Sequence, residues 1–327
     1  MKIRKNHLYF GIIAAVALVA VFFYYNSPKE SQTTEKNTIK EEYENPWQVD
    51  TNGYLSYPLD RENVMFNRQN YGETDNLTIS KIIYQSKNGN IYGLLVLPKS
   101  ASDLMPGIVL LPGAGVSKES ELKLAEKMAE LGAAVITIDQ RGVGETDGTL
   151  PKIEEDYLNF LKGQEPYQHL MVYDALRAYD LLHSAPFVDT ERIIIAGESL
   201  GGRIAIIAAA IDRNIKGVLI ISSSGFDFEE TNDTKVNTFL QSIDSDHYIA
   251  QITPRKLVMM HNYNDAIIPL SSAIMTYQKA QQPKQFVLVN DTSCSHGYCD
   301  SMYGGLVDSL DYLVGIRSKT LVSVPVR

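Results

Sequence analysis

Ser199 is the residue around which chemistry can be assembled. It stands in Gly197-Glu198-Ser199-Leu200-Gly201-Gly202, directly after the β-branched run Ile193-Ile194-Ile195. An apolar, alanine-rich stretch follows, Arg203-Ile204-Ala205-Ile206-Ile207-Ala208-Ala209-Ala210. Strand, tight turn and helix in that order put a serine hydroxyl at the tip of a sharp bend above a sheet. The flanking glycines remove side chains that would collide where strand and helix cross. The start of the helix adds unpaired N–H groups and a positive dipole end beside the hydroxyl. A small-residue turn with no chemistry shares the five-residue pattern, so the reading depends on partners elsewhere in the chain.

A serine hydroxyl attacks a carbonyl only when a base removes its proton, and imidazole does this near neutral pH. The chain holds six histidines. His296, in Cys294-Ser295-His296-Gly297, follows the last predicted strand on a loop able to hang over the serine, and is the expected base. His261, at the end of the strand predicted over 257–260, is the alternative; its other reading is a structural hydrogen-bonder. A carboxylate must fix the imidazole tautomer. Asp265 fits, after a strand between serine and histidine; Asp227 is the alternative, and Asp291 is too close in sequence to His296. Two N–H groups for a developing oxyanion are expected from Leu200 and from Ala114, in Pro112-Gly113-Ala114-Gly115. The set calls for no cofactor. Cys294 and Cys299 flank His296 as the only cysteines. A disulfide there would stiffen the segment carrying the base, with two free thiols as the alternative. A Cys-His-Cys metal site would consume the base and lacks a fourth ligand, so none is expected.

These residues need a scaffold that brings strand ends together. Alternation predicts strands over 77–84 and 91–97, joined by the turn Lys87-Asn88-Gly89-Asn90. Short apolar runs predict strands over 108–111, 134–138, 193–196, 218–221, 257–260 and 285–289. Helical spacing marks 119–131, 167–183, 203–210, 272–280 and 303–314. Alternating strands and helices give an α/β fold: a mostly parallel central sheet of about eight strands, helices on both faces, and an antiparallel hairpin at one edge. Every motif named above follows a strand, so all converge on one rim, where such sheets bind ligands.

On these residues the chain resembles the α/β-hydrolases over residues 76–317. The resemblance rests on Pro112-Gly113-Ala114-Gly115, Asp139-Gln140-Arg141-Gly142-Val143-Gly144, the Ser199 turn, Asn264-Asp265 with Pro269, and Ser295-His296-Gly297. The order Ser, Asp, His is that family's order. Asp174-Ala175-Leu176-Arg177-Ala178, Asp189-Thr190-Glu191-Arg192-Ile193 and the opening hairpin are similar to the dienelactone hydrolase, acetyl xylan esterase and prolyl oligopeptidase-like branch. Leu200 stands where prolyl oligopeptidase-like enzymes carry an aromatic residue, and Pro112-Gly113 where His-Gly is common. The resemblance implies a serine hydrolase acting on carboxylic esters through an acyl-enzyme. A peptidase for short peptides and a non-catalytic surface module that kept the fold are the alternatives. Asp139-Gln140-Arg141-Gly142 is read as architectural, with Arg141 bonding nearby backbone.

The flanks differ from this core. Residues 8–25 carry no charge and follow Lys2, Arg4 and Lys5. At 1.5 Å per residue the run spans about 27 Å, close to a bilayer's hydrocarbon core. We therefore expect one N-terminal transmembrane helix within 1–25, with the remainder on the extracytoplasmic side, and a cleaved signal peptide as the alternative. Residues 26–45 read as a disordered tether, 46–75, with its returning aromatics, as a strap or small cap, and 318–327 as a tail. Asn76, Asn232 and Asn290 begin Asn-x-Thr patterns. A net charge of −9 argues against a nucleic-acid partner. The expected partners are a small ester or short peptide and the membrane.

Overall fold

The computed structural model describes residues 47–100 and 104–316. In chain order the elements are β1 Gln48–Val49, β2 Leu55–Ser56, β3 Phe66–Glu73, β4 Leu77–Ser86, β5 Gly89–Pro98, β6 Met105–Leu111, α1 Lys118–Glu130, β7 Ala134–Ile138, α2 Ile153–Leu161, α3 Tyr167–His183, β8 Val188–Glu198 and α4 Leu200–Ile211. They continue with β9 Gly217–Ile221, α5 Thr234–Ile243, the single turn α6 Ser245–Tyr248, β10 Lys256–Asn262, α7 Leu270–Lys279, β11 Lys284–Val289 and α8 Tyr303–Val314. The runs in β6, β7 and β9 are buried at every residue. That is the consequence of parallel strands covered on both faces, which need no polar side.

β3 to β11 form one nine-stranded sheet in the order β11-β10-β9-β8-β6-β7-β5-β4-β3. Strands β6 to β11 pair in parallel, and β5, β4 and β3 complete the sheet antiparallel. Successive residues of β8 divide between two cores. Ile193 and Ile195 join the core under α3 and α4, while Ile194 and Ala196 join the one under α1 and α8. α1 is capped by Ser117, whose hydroxyl accepts from the Ser120 amide, and α8 ends at Gly315 in the left-handed region.

The sheet has nine strands where sequence predicts about eight. The ninth, β3, lies inside the segment read as a strap, and pairs antiparallel with β4. Only β1 and β2 make a separate small hairpin there. The turn after β7 is built into the frame. Asp139 bonds the buried Lys118 at 2.8 Å, Gln140 donates to the Pro112 carbonyl at 2.6 Å, and Arg141 forks onto Asp174 at 2.7 and 2.8 Å. The expected anchor, tether and tail lie outside the described residues. Among the described residues, no helix is long and apolar enough to cross a membrane.

Candidate active site

The chain runs from β6 out to β7, then returns to β8 on the opposite side of β6. Strand order reverses there, and such a reversal opens a crevice at the carboxyl ends of the two strands. Leu111 of β6 lies in register with Gly197 of β8, so the Pro112-Gly113 loop and the Ser199 turn leave the sheet side by side. Ser199 has φ 50° and ψ −116°. A non-glycine residue held at positive φ costs on the order of 1–3 kcal/mol, so its surroundings must enforce it. The Ser199 amide donates to Ile221 at 3.0 Å, and the Ser223 hydroxyl donates to the Ser199 carbonyl at 2.7 Å. A Cβ at Gly201 would sit 2.1 Å from the Leu111 carbonyl oxygen, and one at Gly197 2.4 Å from Gly201. Both glycines are therefore demanded by the close passage of strand, loop and helix. A Cβ at Gly113 would lie 3.5 Å from that of Ser199, which brings the 112–115 loop against the serine.

His296 Nδ1 lies 2.9 and 3.0 Å from the two carboxylate oxygens of Asp265. An N–H there points to the carboxylate and leaves Nε2 as the acceptor, the tautomer a general base needs. The Asp265 side chain is wholly buried and also accepts from the Ile267 and Ile268 amides at 2.9 and 2.8 Å. Burial alone would raise its pKa, but the bonds from His296 and the two amides hold it below the usual aspartate range. The alternatives take structural places. His261 is fully buried, with its ring Nε2 2.9 Å from the Ile268 carbonyl, and burial lowers its pKa. Asp227 pairs with Lys279 at 3.2 Å, and Asp291 accepts from the Ser293 amide and hydroxyl. Leu200 opens α4, and Ala114 is exposed in the loop facing Ser199.

His296 hangs from the edge strand β11, three strand intervals from β8, or about 14 Å at usual sheet spacing. Its loop is staked down along that path. The Asn262 side-chain amide donates to the carbonyls of Asp291 (2.8 Å) and Cys294, and its oxygen accepts from the Asp291 amide at 3.0 Å. Ala266 donates to the Ser295 carbonyl at 2.7 Å, and a disulfide joins Cys294 to Cys299. At the far end the Tyr298 amide donates to Glu198 Oε1 at 2.7 Å. Sequence reasoning missed Asn262 and Glu198. A charged side chain at the inner end of a buried strand is the signal that singles out Glu198.

Aromatic side chains from residues 47–54, 157–160 and 239–247 meet one another. Trp47 packs 6.1 Å from Phe160 of α2 and 5.5 Å from His169, between ring centroids. Tyr157 and Phe160 lie 5.4 and 5.5 Å from Phe239 of α5, and Tyr54 stacks on His247 at 4.1 Å. The Tyr248 hydroxyl accepts from the Leu55 amide at 2.7 Å. α2 and α5 sit in insertions that leave the carboxyl ends of β7 and β9, so this aromatic cap rises from the rim that carries Ser199. His169, buried within it with its ring Nε2 2.8 Å from the Ser242 hydroxyl, has its pKa pushed down to about 3 by that burial.

The family profile described as acetyl xylan esterase matches residues 32–230, more than half of the chain. A second, the C-terminal part of BAAT / acyl-CoA thioester hydrolases, matches residues 176–300. Among curated proteins, the acetyl esterase Axe7A of Xylanibacter ruminicola is 25% identical over 234 residues, covering 63% of this chain and 53% of that protein. YfhR of Escherichia coli O157:H7 is 22% identical over 225 residues, covering 66% and 74%. Among solved structures, the acetyl xylan esterase of Paenibacillus sp. R4 superposes with a TM-score of 0.63 at 22% identity, covering 76% of this chain and 88% of that one. A cold-adapted esterase from an Arctic intertidal metagenomic library gives 0.57 at 18%, covering 76% and 99%. The strand order, the strained serine turn and these matches agree: the chain belongs to the acetyl xylan esterase family, and it is an ester-cleaving hydrolase of the α/β-hydrolase fold.

Proposed function

We propose that the chain is a serine esterase in which Ser199, His296 and Asp265 act as one unit on small acyl esters, acetyl groups on sugar hydroxyls foremost. The observation that carries this is the pairing of His296 Nδ1 with a buried Asp265 on the rim where Ser199 is held at positive φ. His296 Nε2 takes the Ser199 proton as Oγ attacks the ester carbonyl. The negative charge that forms on the carbonyl oxygen is met by the N–H groups of Leu200 and Ala114. Asp265 stabilises the imidazolium without taking its proton. The imidazolium protonates the departing alcohol, leaving an acyl group on Ser199. Water enters, gives its proton to His296 as its oxygen attacks the acyl carbonyl, and the imidazolium returns that proton to Ser199 Oγ as the acid departs.

Acetyl esters are named first because the family profile and relatives carry that description, and Leu200 in place of an aromatic supports esters over peptides. A fluorophosphonate probe should label wild-type protein at Ser199 and leave Ser199→Ala unlabelled. That substitution should lower p-nitrophenyl acetate turnover by about 10⁴-fold or more. Unchanged turnover in Ser199→Ala, or hydrolysis of aminoacyl amides without hydrolysis of esters, would sink the reading. The uncharged run 8–25 supports a membrane anchor with the catalytic domain outside the cytoplasm. Full-length protein released from membranes by alkaline carbonate would count against it.

A further inference from the structure

We propose that Glu198, the residue before the serine, is the positioning residue that locks the His296 loop onto the nucleophile strand. This rests on the Ser199–His296–Asp265 reading above. The loop leaves the edge of the sheet, and its nearer stakes, from Asn262 and Ala266, all belong to β10 or the turn that follows it. Those fix the base relative to Asp265. They do nothing to fix it relative to Ser199, two strands further in.

Two contacts carry the loop inward, one to the end of β9 and one to β8 itself. The Ser222 hydroxyl donates to the Gly297 carbonyl at a long 3.4 Å. The Tyr298 amide donates to Glu198 Oε1 at 2.7 Å, the length of a charge-assisted bond. The carboxylate is wedged against the loop: a Cβ on Gly297, which has φ +73°, would come within 3.0 Å of Glu198 Oε2. The residues on either side of the His296–Tyr298 segment's target are therefore consecutive, acceptor then nucleophile, on one rigid turn.

The charge on Glu198 needs an account, because even a half-buried carboxylate at a strand end loses part of its hydration. Strand alternation puts Glu198 on the side of Ala196, under α1. α1 supplies the neighbouring carboxyl, Glu121, which is buried at 3% exposure with Oε1 lacking any hydrogen-bond partner. The charged and titratable groups acting on Glu198 are thus Glu121 from α1, and His296 and Tyr298 from the loop. Burial raises both carboxyls, and the charge of Glu198 raises Glu121 further. The amide of Tyr298 and the nearby His296 favour ionised Glu198.

The full-length protein with Glu198→Leu and with Glu198→Gln tests this. Leucine keeps the volume and deletes the acceptor; glutamine keeps an acceptor oxygen and deletes the charge. Glu198→Leu should lower kcat for p-nitrophenyl acetate by about 30- to 100-fold with KM within about twofold, since a base displaced by about 1 Å costs that order of rate. Glu198→Gln should recover kcat to within about fivefold of wild type. Its acid limb of kcat/KM should move to lower pH, because a carboxylate facing the imidazole favours the protonated form. A kcat for Glu198→Leu within about threefold of wild type overturns the proposal. So does a Glu198→Gln enzyme as slow as Glu198→Leu, or one whose acid limb stays in place. If Glu198→Leu does not fold, the acid limb of Glu198→Gln decides alone. Ser199→Ala measured alongside separates the two readings. If it is inactive while Glu198→Leu is active, only this proposal falls; if it is active, the triad reading falls first.

Discussion

At the rim, side chains are placed by hydrogen bonds to backbone: Asp265 by two amides, the His296 loop by Asn262, Ala266 and Glu198, and the serine turn by Ser223 and Ile221. In the cap, Trp47, Tyr54, Phe160, Phe239 and His247 meet through ring faces, from three stretches far apart in sequence. Hydrogen bonds are directional and fix atoms to fractions of an ångström; apolar contact depends on area and tolerates repacking. The rim is thus built for one geometry. The cap is held by contacts that tolerate a change of composition.

Substitutions can break this contrast or sharpen it. Asp265→Asn should have the largest effect, a loss of about 10³- to 10⁴-fold in kcat/KM for p-nitrophenyl acetate, because the imidazole is left in the wrong tautomer. Phe239→Ala empties a fully buried ring site between Tyr157 and Phe160. It should lower stability in a thermal or denaturant melt by about 3–5 kcal/mol. Below its melting point it should leave acetate ester turnover nearly intact while changing the ratio of long to short acyl esters hydrolysed. Acetate turnover falling as far as in Asp265→Asn would erase the distinction between rim and cap.

Replacing Cys294 and Cys299 together by alanine removes a bridge spanning a separation of 5 residues, and should cost about 2 kcal/mol in the chain-entropy account. The bonds from Asn262, Ala266 and Glu198 remain, so kcat should fall only modestly. A collapse of kcat would mean that the disulfide, and none of those bonds, holds the base. Glu121→Gln gives the smallest effect, with a definite sign. A carboxyl raised in the folded state binds more protons folded than unfolded, so its contribution is present at acidic pH and is lost as pH climbs through the raised value. Melting temperatures of wild type and Glu121→Gln should agree near pH 4 and separate toward pH 8, the variant being the more stable. Parallel curves would show that Glu121 does not titrate there.

The same contrast explains what could be read from the sequence. The helices 167–183 and 303–314 have the predicted bounds, because each buries an apolar stripe against a sheet face. Ser199, Asp265 and His296 stood out as candidates because each ends or follows a strand, and the pairing of the last two is seen in the fold. β3 was not: Phe66-Asn67-Arg68-Gln69-Asn70-Tyr71-Gly72-Glu73 is exposed along almost its whole length. An edge strand held by backbone pairing to β4 needs no alternating apolar pattern. α2 and α5 were hidden for a related reason, since their aromatic partners lie in other segments and local periodicity does not record them. Glu198 escaped notice because the amide it accepts lies about a hundred residues further along the chain.

The strand order also sets how this protein should lose its activity. β9 and residues 193–197 of β8 lie in the interior of the sheet, buried throughout, while β11 closes one edge with no fully buried residue. Local openings begin where backbone is least covered. Peeling of β11 would carry the histidine away while the serine turn and both cores stay intact. Inactivation by mild denaturant should therefore precede the global transition and reverse on dilution, with amides of β11 exchanging their hydrogens well before those of β8 and β9.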